Sequence, residues 1–325
     1  MNDSPVFVVG MNGSGTTMLA ESLGRHPELY MFPHESKVLP YFLANIDRFG
    51  DLNAPANRRR LADAIGATKP YWQVNGGAPF VLDNASLGRC SNFGEIVSQI
   101  YMSFANRQNK YRWGDKSPAN THHIASLATG FPTAKFVHII RDGRDAAQSF
   151  HRRWGYQPRH TIWRWKRAVR EGRRQGSSLP PHRYLEVRYE DVTSSPDSEI
   201  RRICAFLGLA FDQSLLESSM HYFDTTSESA HSGRIIQNSG KWRTYFSPKQ
   251  ITELETISGE LLYDLGYSVG VRGNAELNSF ERRMLKLQDG FFYTTWFFRQ
   301  YGLKSVYLYG RAVTAALKQW SVTRR

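Results

Sequence analysis

The sequence predicts an α/β fold of three layers, in which a central parallel sheet is flanked by helices. Three short runs, Val6–Val9, Lys135–Ile140 and Tyr184–Arg188, are predicted strands, and the first two are nearly continuous in apolar residues. Turn residues and a helical segment follow each run, which is the order of elements in α/β sheets. With 41% hydrophobic and 22% charged residues among 325, the chain has the composition of an ordinary globular protein.

The first strand runs directly into a glycine-rich turn. Gly10, Gly13 and Gly15 follow it, and Thr16 opens a helical pattern. Glycines let backbone N–H groups close on an anion, and the positive end of the helix dipole adds to the attraction. The ATPase form of this loop, G-x-x-x-x-G-K-[ST], has a lysine where Thr16 stands. We therefore expect a P-loop-like fold that binds a less charged group than ATP; the alternative is a strand–helix turn that holds three glycines by chance.

Composition restricts the class of partner. The net charge is +13 and the isoelectric point is about 9.8, so nucleic acid, an anionic membrane surface and an anionic cofactor are all candidates. Cys90 and Cys204 lie in unrelated contexts, which argues against a disulfide framework or a cysteine zinc site and fits a reducing compartment. The first strand begins too close to Met1 for a signal peptide, and no apolar run reaches membrane-spanning length. We therefore expect a cytoplasmic protein.

A carboxylate is expected at the edge of the sheet. After the first helix, a short extended piece over Leu29–Phe32 brings the chain to Glu35. Open α/β folds bind ligands at the carboxyl ends of their strands, so Glu35 is a candidate general base. The alternative is a capping carboxylate ahead of a helix at Lys37–Ile46, and the residues alone leave both open.

A second anion site is predicted after the strand at Lys135–Ile140. Arg141 stands at the carboxyl end of this strand, and Ser149 lies two turns into the following helix. A guanidinium and a hydroxyl in these places can reach one phosphate. The alternative is a surface network of arginines and aspartates.

Three further segments are basic, and two of them are rich in aromatic residues. Residues 159–174 predict a helix with Trp163 and Trp165, expected to be a solvated face because no base-reading motif accompanies it. His231–Arg243 is punctuated by glycines and is expected to be a mobile flap. From Ser279 onward, helices that pack on the domain or on a second subunit are favoured over contact with a membrane interface.

Together these residues resemble the sulfotransferases that use 3′-phosphoadenosine 5′-phosphosulfate (PAPS), over most of residues 5–266. Arg141 and Ser149 match the family's 3′-phosphate pair at the family's spacing, and Lys241 and Trp242 resemble the late loop that covers the cofactor. The turn G-S-G-T-T is similar to the loop that binds the 5′-phosphosulfate. This resemblance implies cofactor contacts by Asn12, Gly13, Ser14, Gly15, Thr16 and Thr17.

The pattern most resembles the tyrosylprotein sulfotransferase-like branch. The segment H-P-E-L-Y-M-F-P-H-E-S-K-V-L-P is similar to the branch's G-E-E-T-R-V-I-P segment with one extra residue, which places Glu35 on the catalytic glutamate. Lys116, in D-K-S-P, matches the lysine that contacts the transferring sulfuryl group. The family usually has Arg or Lys where this chain has Gly13. Lys116 or a basic residue of the flap is expected to supply that cation.

The resemblance implies transfer of a sulfuryl group from PAPS to an acceptor hydroxyl by in-line displacement, with PAP as product and no metal. Glu35 would be the base, while Lys116 and Ser14 would stabilise developing charge. The acceptor is left open among glycan, lipid, small-molecule and tyrosine hydroxyls; no nucleic acid is expected, and the oligomeric state is open. Two rivals are a lysine-less P-loop kinase-like phosphotransferase that needs magnesium and a non-catalytic basic binding protein on this fold.

The predicted domains are a sulfotransferase domain at 1–270 and an aromatic, basic helical extension at 271–325, in which peripheral membrane contact is a candidate role. Within the domain, residues 47–112 are expected to be an insertion that shapes the acceptor site. A helix is predicted over Phe93–Ala105 in this insertion, and a tight turn at Trp113–Pro118.

Overall fold

The computed structural model describes residues 4–217, 235 and 238–295. Two compact units divide the chain: residues 1–142 with 167–239, and residues 143–166 with 240–325. No described helix combines the length and the apolar character that crossing a membrane requires.

A five-stranded parallel sheet forms the centre of the first unit. Its strands are β1 (Val6–Val9), β2 (Leu29–Met31), β3 (Arg112–Lys116), β4 (Lys135–Ile140) and β5 (Tyr184–Arg188), in the spatial order β2-β3-β1-β4-β5. The predicted α/β class with a central parallel sheet is confirmed. Strand β1 lies between β3 and β4, so the chain leaves β1 where the strand order changes direction, which is where open α/β sheets place their ligands.

Thirteen α-helices have named bounds in the described residues, and residues 279–295 are also helical. The helices are α1 (Thr16–Gly24), α2 (Leu39–Ala44), α3 (Pro55–Gly66), α4 (Lys69–Val74), α5 (Asn84–Gly88), α6 (Phe93–Asn106), α7 (Ile124–Gly130), α8 (Gly143–Trp154), α9 (Pro158–Gly176), α10 (Tyr189–Ser194), α11 (Pro196–Leu207), α12 (Trp242–Tyr245) and α13 (Pro248–Asp264). Short 3₁₀ helices lie at Ile46–Phe49, Pro118–His122 and Gln213–Leu216.

Both faces of the sheet carry a hydrophobic core, since side chains alternate along each strand. Phe7 and Val9 point into one cluster, with residues of α2, α3, α6 and α7. Val6 and Val8 point into the other, with residues of α1, α10 and α11. Helices therefore cover the sheet on both sides, which gives the three predicted layers.

The tight turn predicted at Trp113–Pro118 is wrong, because Arg112–Lys116 forms the fully buried strand β3. The polar residues of β3 obscure the apolar pattern expected of a buried strand, but each of them has an interaction partner inside the protein. The Arg112 guanidinium donates to the carbonyl oxygens of Ser4 (2.8 Å) and Leu207 (2.9 Å). Pairing of this kind allows charged residues to be buried.

The second unit has a buried ion pair at its centre. Arg144 Nη1 lies 2.5 Å from Glu255 Oε1, and both side chains are at most 3% exposed. The guanidinium carbon also lies 3.8 Å from the ring centroid of Trp242. Asp145 accepts hydrogen bonds from the N–H groups of Gly240 (2.6 Å) and Trp242 (3.1 Å). The alternative of an arginine–aspartate surface network is therefore wrong for Arg144 and Asp145.

Helix α9 is basic on its exposed side, as expected for a solvated face. Arg164, Arg167 and Arg170 are exposed, whereas Trp163 and Trp165 are buried. The tryptophans are thus core residues. Of the flap predicted at His231–Arg243, residues 231–234, 236 and 237 lie outside the described residues.

Candidate active site

The loop after β1 has the backbone of a phosphate cradle. Gly10, Gly13 and Gly15 have φ angles of +149°, +85° and +92°, which residues with a Cβ atom rarely adopt. Helix α1 begins at Thr16 with Gly15 as its N-cap. The first N–H groups of a helix have no intrahelical partner, so this end of α1 offers donors and a positive dipole end to an anion.

Steric contacts also require glycine at two positions of this loop. A Cβ atom on Gly15 would lie 2.8 Å from Cε2 of Tyr189 and nearer still to its Cδ2. A Cβ atom on Gly10 would clash with the carbonyl oxygen of Ile139. The loop is therefore held between β4 and the start of α10, and Tyr189 forms one wall behind it.

The Ser14 side chain fits a loop that receives a polar ligand. Ser14 is fully buried, and its hydroxyl has no hydrogen-bond partner among the described residues. A buried hydroxyl without a partner is costly, and an incoming phosphate or sulfate oxygen would satisfy it. The hydroxyl and the N–H groups of the loop match the donors that the 5′-phosphosulfate of PAPS would need.

Arg141 supplies a cation beside Gly13. Its Nη1 donates to the carbonyl oxygen of Gly13 at 3.2 Å, and its guanidinium carbon lies 4.4 Å from the ring centroid of Tyr189. Lys116, one of the expected substitutes for the missing cation, instead pairs with Glu35. Ser149, the other member of the predicted 3′-phosphate pair, lies on α8 in the second unit and is 8% exposed. The joint role of Arg141 and Ser149 stays a prediction.

Glu35 and Lys116, the two predicted catalytic residues, are brought together. Lys116 Nζ lies 3.3 Å from Glu35 Oε1, and Lys37 Nζ lies 2.8 Å from Glu35 Oε2. Burial raises the pKa of Glu35, but the hydrogen bonds and charges of the two lysines outweigh it and lower the pKa below its usual 4.5. The carboxylate is therefore ionised at neutral pH, as a proton acceptor must be.

The capping interpretation of Glu35 is wrong. Helix α2 begins only at Leu39, and its N-cap is Val38 without a side-chain hydrogen bond. Between Glu35 and this helix, Lys37 has a φ angle of +54°, an uncommon conformation for a residue with a side chain. The backbone therefore turns sharply just after Glu35, and the side chain of Lys37 reaches back to pair with the Glu35 carboxylate.

A buried polar network supports the two segments that carry Glu35 and Lys116. Asp115 is fully buried beside Lys116. It accepts hydrogen bonds from the hydroxyl of Tyr101 (2.9 Å) and the amide of Asn120 (2.9 Å). The hydroxyl of Tyr71 donates in turn to that of Tyr101 at 3.1 Å. Burial raises the pKa of Asp115, while its hydrogen-bond donors lower it in part.

The same region ties the two segments to each other. The hydroxyls of Ser36 and Ser117 are 3.4 Å apart, and the N–H of Lys37 donates to Ser117 Oγ at 3.3 Å. Ser36 follows Glu35 and Ser117 follows Lys116, so these bonds fix the spacing of the carboxylate and the ammonium group.

A cavity of about 880 Å³ lies in front of this pair. Thr17 of α1, Glu35, Lys116 and two residues of α4, Lys69 and Gln73, are among its lining residues. The cavity thus adjoins both the cradle and the carboxylate. Helix α4 belongs to the segment 47–112, whose role in shaping an acceptor site stays a prediction.

Lys241 and Trp242, predicted to cover the cofactor, lie in the second unit. Trp242 is 4% exposed and stacks on Arg144, while Lys241 is exposed. Asn12 is exposed at the tip of the cradle, and Thr16 is buried. The contacts of these four residues with a cofactor stay predictions.

Sequence reasoning missed three residues of this region: Lys37, Asp115 and Tyr189. Lys37 follows Glu35 by two positions, and a lysine so close to a candidate base was a usable signal. Asp115 precedes Lys116 but was placed in a turn. No local signal marks Tyr189, because its contacts with Gly15 and Arg141 join distant parts of the chain.

The fold and site define an α/β protein with a glycine-rich loop suited to an anion, next to a carboxylate–lysine pair. Comparison with known proteins gives the family: residues 5–213 match the Sulfotransferase family. The chain belongs to this family, which confirms the resemblance drawn from its motifs.

Two relatives and one solved structure illustrate the likeness. The chain is 26% identical over 218 residues to protein-tyrosine sulfotransferase A of Caenorhabditis elegans, covering 65% of this chain and 51% of the relative. It is 28% identical over 253 residues to omega-hydroxy-beta-dihydromenaquinone-9 sulfotransferase of Mycobacterium tuberculosis, covering 64% and 63%. The chain thus spans about half to two thirds of the length of these relatives. The sulfotransferase domain from the curacin biosynthetic pathway shares the fold, with a TM-score of 0.54, 19% identity, and coverage of 82% of this chain and 98% of that domain.

Proposed function

We propose that this chain transfers a sulfuryl group from PAPS to an acceptor hydroxyl by in-line displacement. The observation that carries the proposal is the pair formed by Glu35 and Lys116, 3.3 Å apart, on a cavity that Thr17 of the cradle also lines. A carboxylate and an ammonium group next to a loop shaped for a phosphate support these roles as base and cation. Membership of the Sulfotransferase family supports sulfuryl transfer rather than another chemistry of this loop.

Each side chain has a defined task in this reaction. The N–H groups of the cradle, the Ser14 hydroxyl and Arg141 hold the 5′-phosphosulfate. PAPS supplies an activated sulfur, whose bond to the phosphate oxygen breaks as the bond to the acceptor oxygen forms. Glu35 takes the proton of the acceptor hydroxyl. Lys116 stabilises negative charge on the sulfuryl oxygens and on the departing phosphate oxygen, and PAP leaves with that charge.

The two rival functions have less support. A P-loop kinase would use the lysine that Thr16 replaces, and neither rival is supported by the family match. A non-catalytic binding protein would not need Glu35 held between Lys37 and Lys116 with its pKa lowered.

The acceptor is proposed only as a class, a hydroxyl on an organic molecule that enters the cavity. Apolar side chains of Met31, Phe32 and Pro70 line this cavity together with Lys69 and Gln73. An acceptor with both apolar and polar parts fits such a wall. The names of the two relatives mention tyrosine and a dihydromenaquinone, so tyrosine, lipid and small-molecule hydroxyls are the acceptors to test. The cytoplasmic location also stays a prediction, which cell fractionation tests.

Calorimetric titration with PAP tests the donor. We expect binding that needs no magnesium, that ATP with magnesium does not displace, and that weakens strongly in Arg141→Ala. Absence of PAP binding would refute the donor class.

Transfer assays test the base. PAPS is supplied with a phenol, a tyrosine peptide or a long-chain alcohol, and Glu35→Gln is compared with Glu253→Gln, a matched change on α13. We expect turnover to fall by about 10²-fold or more in the first variant only, with PAP affinity retained. Full turnover by Glu35→Gln would show that another group is the base.

A further inference from the structure

The helix at 279–295 carries an apolar stripe on its outer surface. Phe280, Met284, Leu287 and Phe291 are 73%, 42%, 68% and 67% exposed. Their spacing of four, three and four residues places them on one side of an α-helix. Exposed large apolar side chains that form a continuous stripe mark an interaction surface, unlike the same residues scattered singly.

The opposite side of this helix is fastened to its own unit. Asp289 Oδ2 lies 2.5 Å from Nδ1 of His160, and Asp289 Oδ1 accepts the N–H of Gln157 at 2.7 Å. Glu281 pairs with Arg159 at 3.1 Å. These contacts fix the rotation of the helix about its axis, so the stripe is held outward.

The acidic and the basic residues of this helix differ in their contacts. Of its two acidic residues, Asp289 is buried against His160 and Glu281 is paired with Arg159 at the surface, whereas Arg283 and Lys286 are exposed. The sequence that follows, residues 296–325, contains six Lys or Arg residues and no Asp or Glu. Beside the apolar stripe, the described helix thus exposes Arg283 and Lys286, while the charge of Glu281 is balanced by Arg159.

We infer that this stripe docks on an anionic lipid bilayer, with the helix lying in the plane of the interface. Amphipathic helices with basic residues beside an apolar face bind in this way, with the apolar side chains at the boundary between headgroups and acyl chains. Anionic headgroups attract the flanking Arg283 and Lys286. A second copy of the chain is a poorer partner, because both copies would bring the same exposed cations into one interface.

The inference does not depend on the proposed enzymatic activity, since it rests on the exposed residues of one helix. If both hold, attachment would bring a hydroxyl acceptor of low water solubility close to the enzyme.

Vesicle co-sedimentation of the full chain tests the inference. We expect binding to vesicles of phosphatidylcholine with phosphatidylserine, and much weaker binding to phosphatidylcholine alone. The triple variant Phe280→Ser, Leu287→Ser, Phe291→Ser should lose binding by about tenfold or more. Val81→Ser, a control at an apolar residue that is 66% exposed in the first unit, should bind like the parent chain. Equal binding by the triple variant, or no binding by the parent chain, would overturn the inference.

A second measurement guards against misfolding and against the alternative partner. Leu287→Cys is labelled with a polarity-sensitive dye. The labelling is specific for this position because the native Cys90 and Cys204 are buried. We expect a blue shift with anionic vesicles and none for a label at Val81→Cys. An unshifted dye on Leu287→Cys would contradict insertion. Sedimentation equilibrium without lipid completes the test, because a dimer that the triple variant abolishes would assign the stripe to a second copy.

Discussion

Substitution of Gly15 by alanine probes the close contact between the cradle and the ring of Tyr189. Two costs arise from the structure. The φ angle of +92° is strained for any residue with a Cβ atom, which costs about 1–2 kcal/mol. The new Cβ atom would also lie 2.8 Å from Cε2 of Tyr189, and overpacking of this kind costs about 1–3 kcal/mol.

The expected loss of unfolding free energy is therefore about 2–5 kcal/mol. Because Tyr189 also stacks on Arg141 at 4.4 Å, displacement of the ring should weaken PAP binding in Gly15→Ala as well. Replacement of Tyr189 by leucine removes the atoms that clash. The double variant Gly15→Ala, Tyr189→Leu should thus be less destabilised than the sum of the two single changes.

Urea unfolding of the variants gives the free energies. Gly88→Ala is the matched control, because a Cβ atom there meets no atom within 4 Å and the residue has no positive φ angle. We expect the control to change stability by less than about 1 kcal/mol. Equal unfolding free energies for Gly15→Ala and Gly88→Ala, or simple additivity in the double variant, would contradict a clash between Gly15 and Tyr189.

Three further predictions concern charge and hydrogen bonding. Glu35 must be ionised to accept a proton and its pKa is lowered, so kcat/KM should fall on the acid side only below pH 4.5. Lys37→Ala should move this acid-side fall of the pH–rate profile to higher pH. An unchanged pH profile would contradict the role of this lysine. Tyr101→Phe removes a donor to the buried Asp115 and should cost about 1–3 kcal/mol in urea unfolding, more than Tyr71→Phe, which leaves that donor in place. Asp145→Asn weakens the bonds to the N–H groups of Gly240 and Trp242, with an expected cost of about 1.5–3 kcal/mol; a thermal transition identical to that of the parent chain would count against it.

Much of the fold was predictable because its signals are local. The apolar runs of β1 and β4 gave their bounds, and the glycines marked a loop whose positive φ angles are a property of the residue type. Arg141 and Lys116 were identified by their positions in short motifs. Strand β3 was missed because its polar residues are typical of a turn. Its polar side chains can be buried only because they bond to partners distant in sequence, such as Tyr101 and Leu207.

Residue types at short spacing were enough to predict the strand–loop–helix that forms the cradle, the α/β class and the family. The remaining features of the site arise from long-range packing. It placed Lys37 and Lys116 on the two oxygens of Glu35 and set Tyr189 behind Gly15. It also buried Asp289 of the helix at 279–295 against His160 and paired Glu281 with Arg159, while the apolar stripe stays exposed. These features depend on contacts between segments that lie far apart in the chain, and a pattern read along the sequence does not contain them.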